Sequence, residues 1–180
     1  MKKTRMTAQK TALLGILAAE AIALSFLEGL LPPFLPVQGM RIGLSNIITM
    51  FSVLSLGISH AVLITLFKVF FVLITRGVQA SLLSLAGGLL SLLGMAVLLK
   101  LKPNRLGLIG VGIVSALLHN SGQLFVSVLI LGKSILSFAP ALIAISVLTG
   151  ALTGTILYYT IPFLQKQCAH IINNKNQSDI

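Results

Sequence analysis

Runs of Leu, Ile, Val, Gly and Ala, each close to the length that crosses a lipid bilayer, follow one another along nearly the whole chain. A hydrocarbon core about 30 Å thick, crossed at about 1.5 Å per residue, calls for roughly 20 apolar residues per helix. Set against the punctuation of Gly, Pro and charge, the runs give six spans, at about 11–30, 43–58, 59–75, 81–101, 107–131 and 139–163. The expectation is an all-α, polytopic membrane protein with six transmembrane helices, one domain over 1–165 and a polar tail over 166–180. The second and third spans are short, and Gly57-Ile58-Ser59-His60 between them predicts a tight hairpin. Lys2, Lys3, Arg5 and Lys10 precede the first run as in a signal peptide. That run is too long and meets Glu28 and Pro32-Pro33 without a cleavage pattern, so it is expected to stay as a helix.

Composition agrees with this class: 56% of residues are hydrophobic and 9% charged, and the mean hydropathy is +1.03. No polar stretch is long enough for a soluble catalytic domain beside the membrane part. Cys168 is the single cysteine, so no intramolecular disulfide and no cysteine-based metal site can form. Six spans bring both termini to one side. Nine Lys and Arg fall on the terminal side and three, Arg41, Arg76 and Lys133, on the other. The positive-inside rule therefore places both termini in the cytoplasm of a multi-pass cell-membrane protein. The net charge of +10 is scattered over helix ends, which suits anionic membrane lipid rather than nucleic acid.

The three outward basic residues each follow an odd-numbered span, so their loops open on one face. The first loop, from Leu31 to Arg41, contains Pro32, Pro33 and Pro36 together with Phe34. It reads either as a lid over a ligand pocket or as a helix stop that wets the surface. Glu20 and Glu28 lie two turns apart on the first helix, as do Lys68 and Arg76 on the third. Equal depth predicts Glu20 beside Lys68, and Glu28 beside Arg76 or Arg41. Pairing lowers the cost of charge in hydrocarbon. Both ion pairs that orient helices and contacts to a ligand fit this pattern, with ligand contact favoured for Arg41 and Arg76 at the outer mouth.

A polar cluster interrupts the fifth span: His119, Asn120 and Gln123. His119 and Gln123 are four residues apart and share a helix face, with Asn120 one position round. The patch suits recognition of a polar head group, helix-to-helix hydrogen bonding or, less readily, proton transfer, since no acid or nucleophile lies near His119 in sequence. Asn46 near the outer end of the second helix is a further candidate wall, and Phe34 and Phe125 are candidates for an apolar part of a ligand. The first helix carries Ala8, Ala12, Gly15, Ala19 and Ala23 along one face. Such a ridge allows close approach of a partner helix, either in a separate protein or within the chain.

The chain has three carboxylates in all, Glu20, Glu28 and Asp179. It therefore has no aspartate-rich motif to hold magnesium against a diphosphate. Leu131-Gly132-Lys133-Ser134 resembles the end of a phosphate loop but lacks the first glycine. No catalytic residue, metal or cofactor is implied.

Glu28 with Leu31-Pro32-Pro33, then Gly43-Leu44-Ser45-Asn46, Ser84-Leu85-Ala86-Gly87-Gly88-Leu89-Leu90-Ser91 and His119-Asn120-Ser121-Gly122-Gln123-Leu124 resemble a family of small bacterial membrane proteins. These are the heptaprenyl diphosphate synthase component I proteins, also called the Gx transporter family, and the likeness spans about 11–163. The family is similar to the substrate-binding S components of energy-coupling factor transporters. The resemblance implies an S-component-like six-helix bundle with an outward pocket capped by the first loop. It also implies that small residues on the first helix dock a transmembrane scaffold subunit driven by two cytoplasmic ATPases. On this reading the chain is not an enzyme but captures a small polar or anionic metabolite, such as a vitamin or a quinone or isoprenoid precursor. The alternative is a non-catalytic, membrane-associated component of heptaprenyl diphosphate synthase in isoprenoid or menaquinone synthesis. A proton-coupled carrier using Glu20 and His119 is a third class.

Overall fold

The computed structural model describes residues 8–30, 43–101 and 107–173. Five α-helices and a short 3-10 turn account for nearly all of them: α1 (Ala8–Leu30), α2 (Asn46–Ser55), α3 (Ile58–Leu101), α4 (Gly107–Leu131), the turn at Lys133–Phe138, and α5 (Ala139–Asn173). No strand occurs among the described residues. Four helical stretches are long and apolar enough to cross a membrane: Lys10–Leu30, Ile58–Leu98, Gly107–Leu131 and Lys133–Pro162. The chain is thus a helical membrane bundle.

The helix α3 is two helices joined at one residue. Gly77 sits at φ 84° and ψ −178°, a backbone state that essentially only glycine adopts without strain. On either side of it the arms fold back, because a Cβ on Gly88 would come within 2.7 Å of the Thr65 methyl. In a straight helix those two residues would stand about 34 Å apart. The expected loop over 76–80 is therefore a single-residue hinge with helix on both sides. At the predicted hairpin, Gly57 takes φ 90°, and its N–H and that of Leu56 both donate to the Ser52 carbonyl.

The bundle buries many hydroxyls while exposing large apolar side chains. Ile74, Leu129 and Leu148 are about 70% exposed, at 69%, 70% and 71%. In contrast, Ser52, Thr65, Ser91 and Ser115 are fully buried. That inversion follows from the solvent: lipid accepts alkyl chains at no cost, whereas a hydroxyl there needs a protein partner. Thr65 Oγ1 donates to the Ala61 carbonyl at 2.9 Å and Ser127 Oγ to the Gln123 carbonyl at 2.8 Å. An apolar core does persist near α1 and α2, where Leu14, Leu17, Ala21, Met50 and Ile64 pack together.

Close helix contacts are made over glycine. A Cβ on Gly112 would stand 2.4 Å from the Gly150 carbonyl oxygen, and one on Gly154 would stand 2.6 Å from Ile109 Cα. The backbones of α4 and α5 touch there, as small-xxx-small pairs allow. On the opposite side α4 packs on α3, and a Cβ on Gly122 would meet the Ala86 carbonyl at 2.7 Å. Among the described residues, the helix α1 packs mainly on α3 and α2, and its other face lies outward. Ala8, Ala12, Gly15, Ala19 and Ala23 are exposed on that face. Residues 166–173, expected in a polar tail, continue α5 beyond Pro162.

Candidate ligand chamber

Four helical segments and one turn meet around a small polar chamber, and the residues that reach it are spaced as one helix face requires. The last turns of α1 contribute Ser25 and Glu28, three apart. The first arm of α3 contributes Lys68, Val72 and Arg76 at intervals of four, and the second arm Ala80 and Ser84. The α4 pair His119 and Gln123 closes the floor, and Ser45, just before α2, closes the side. The hinge at Gly77 is what lets both arms of α3 face one point.

Lys68 is 2% exposed and Glu28 4%. The Lys68 ammonium donates to Ser45 Oγ at 3.3 Å, and the Glu28 carboxylate is the opposite charge acting on it. Glu28 also accepts the Leu44 backbone N–H, which ties the end of α1 to the turn before α2. The Arg76 guanidinium donates to the Ser25 carbonyl and lies over Gly29, where a Cβ would collide with it. A cation against the carbonyl end of α1 is favoured by the helix dipole.

His119 is held in a slot cut by glycine. Its ring lies against Gly87 on α3, where a Cβ would stand 3.0 Å from Nδ1, and against Gly43, where one would stand 3.3 Å from Cδ2. Gln123 Nε2 lies 2.8 Å from His119 Nε2. The contact joins the amide and the imidazole across one helical turn.

The two asparagines serve other contacts. Asn46 Nδ2 donates to Ser115 Oγ at 2.7 Å, and Asn46 Oδ1 accepts from Ser91 Oγ at 3.2 Å, joining α2, α3 and α4. Asn120 Nδ2 donates to Ser146 Oγ on α5 at 2.7 Å. Both lie away from the chamber lining, as interhelical struts. Of the sequence candidates, then, Arg76, His119 and Gln123 converge, and Arg41 and Phe34 fall outside the described residues. Phe125 points outward, at 65% exposure.

One pairing is corrected. Depth matching put Glu20 beside Lys68, but Glu20 is exposed on the outer face of α1 and Glu28 is the carboxylate beside Lys68. Eight residues turn a helix by about 80° beyond two full turns, so Glu20 and Glu28 do not share one face. The sequence reading also passed over Ser25, Ser45 and Ser84. The signal for two of them was present, since Gly43-Leu44-Ser45-Asn46 and the run from Ser84 to Ser91 supply chamber or slot residues.

Among the described residues, no group of three His, Cys, Asp or Glu could hold a metal ion. The free space in the chamber is about 20 Å³, room for about one water molecule.

No curated protein and no solved structure matches the chain. A family model described as heptaprenyl diphosphate synthase component I matches residues 17–160, a range that takes in every chamber residue. The chain belongs to the heptaprenyl diphosphate synthase component I family.

Proposed function

We propose that the protein is the substrate-binding membrane subunit of an energy-coupling factor type importer, taking up a small anionic metabolite such as a vitamin or a quinone or isoprenoid precursor. The observation that carries this reading is the chamber, where two cations, Lys68 and Arg76, face one carboxylate, Glu28, inside a bundle with an apolar exterior. Such charge inside a membrane domain is costly and is characteristic of ligand paths. Arg76, His119 and Gln123 contact the ligand, while Asn46 and Asn120 hold the helices that carry them. Two arms of α3 crossing separately, with α2 as a short span, bring the count to six. Both termini then lie in the cytoplasm of the cell membrane, in line with the nine-to-three excess of basic residues. The exposed small-residue face of α1 suits a transmembrane scaffold coupled to two ATPases.

The test is to purify the protein in mild detergent from cells grown in rich medium, release bound small molecules by heat, and identify them by mass spectrometry. An anionic metabolite recovered with the native chain and lost with Arg76→Ala is expected. A retained molecule that is uncharged, or retention unchanged in Arg76→Ala, contradicts the site.

The family's description favours a second reading, a non-catalytic membrane component of heptaprenyl diphosphate synthase. It requires a stable complex with a catalytic synthase chain, because the described residues bring together no metal-binding carboxylates.

A further inference from the structure

Glu28 stands where a ligand's own anion would bind. Its carboxylate is buried, lines the chamber with Lys68 and Arg76, and supplies the negative charge that acts on Lys68. The space left beside it is about 20 Å³. That volume admits about one water molecule, whereas a carboxylate has three heavy atoms and a phosphate five. An incoming carboxylate or phosphate therefore competes with the Glu28 carboxylate for the space between the two cations. Removing the Glu28 carboxylate would vacate a space of carboxylate size bordered by both cations. It would also leave the buried Lys68 ammonium without its counter-charge, a state that demands a replacement anion.

We propose that the chamber binds the carboxylate or phosphate group of an organic anion by exchange with Glu28. This rests on the ligand-binding reading above and adds how the ligand enters. The incoming oxygens take over Lys68 and Arg76, and the Glu28 carboxylate swings out of the chamber. A carboxylate leaves the charge inside unchanged and a phosphate makes it more negative, so in either case neither cation is left bare in a low-dielectric interior. Leu44 N–H loses its acceptor as Glu28 leaves, so the arrival of an anion is felt at the turn that precedes α2.

The experiment is calorimetric titration of the purified full chain in detergent with inorganic phosphate and, separately, with acetate. Glu28→Gln removes the competing charge and is expected to bind the matching anion about tenfold more tightly than the native chain. The arm that responds identifies the group. Glu28→Asp draws the carboxylate back by one methylene while keeping the counter-ion, and is expected to fall between the two. If Glu28→Asp binds no more tightly than the native chain, exchange is overturned, including the case where Glu28→Gln does not fold. If Glu28→Gln is folded and binds no more tightly, exchange is overturned while the anion site stands. If no folded form binds either anion, the anion reading itself fails with it.

Discussion

Lys68 on α3 is countered by Glu28 on α1, and Ser45 Oγ stands 3.3 Å from its ammonium. The pair links α1 to the first arm of α3 inside the chamber. Breaking a buried pair from one side leaves an uncompensated charge and costs about 3–5 kcal/mol. Lys68→Met and Glu28→Gln are each expected to lower the thermal midpoint in detergent. The double variant is expected to lose less than the sum, by at least about 1 kcal/mol of coupling. Additive losses would show that the two charges do not interact.

The hinge at Gly77 sets the second prediction. An alanine there is held at φ 84°, which costs roughly 1–3 kcal/mol. Gly77→Ala should therefore destabilise the bundle in thermal unfolding. Gly15→Ala, where a Cβ would meet nothing within 4 Å, should leave the midpoint unchanged or slightly raised.

Struts and walls should separate in a third comparison. Asn120→Ala removes the bond to Ser146 and Asn46→Ala those to Ser115 and Ser91. Each is expected to cost about 0.5–2 kcal/mol of stability with retained ligand affinity near native in whatever protein remains folded. Gln123→Ala and Arg76→Ala are expected to show the reverse weighting, weakening metabolite retention about tenfold or more.

The α4–α5 contact gives a fourth. Gly112→Leu and Gly154→Leu place side chains where backbone atoms of the facing helix stand at 2.4 and 2.6 Å from the first carbon. Both should abolish monodisperse elution in size-exclusion chromatography. Gly15→Leu, on the outward face of α1, should elute as the native chain does.

Much of this architecture is legible in the sequence because bilayer thickness dictates helix length, and the apolar runs report it directly. The facing of His119 and Gln123 is equally readable, since four residues are about one turn. What cannot be read is which helix stands opposite. In a membrane bundle both the outer and the inner faces carry Leu, Ile and Val, so hydrophobic periodicity barely distinguishes them. Asn120 therefore looked like a wall beside His119, though its position turns it toward Ser146 on α5. Depth matching assigned Glu20 to Lys68, but eight residues turn a helix by about 80° beyond two full turns, and it is Glu28 that faces the chamber. The hinge was expected as a loop because Arg76-Gly77 reads as punctuation, while its compression to one residue depends on how closely Gly88 lets the two arms approach.

What this chain works with can be tested at the outward face of α1. The measurement is affinity purification of the tagged chain from its native membranes in mild detergent, with mass spectrometry of what accompanies it, alongside Ala12→Trp and Ala19→Trp. Recovery of a transmembrane scaffold with paired ATPases, lost in the two variants while metabolite retention persists, is the predicted result. Recovery of a prenyl synthase catalytic chain in their place would contradict the importer reading and establish the synthase component instead.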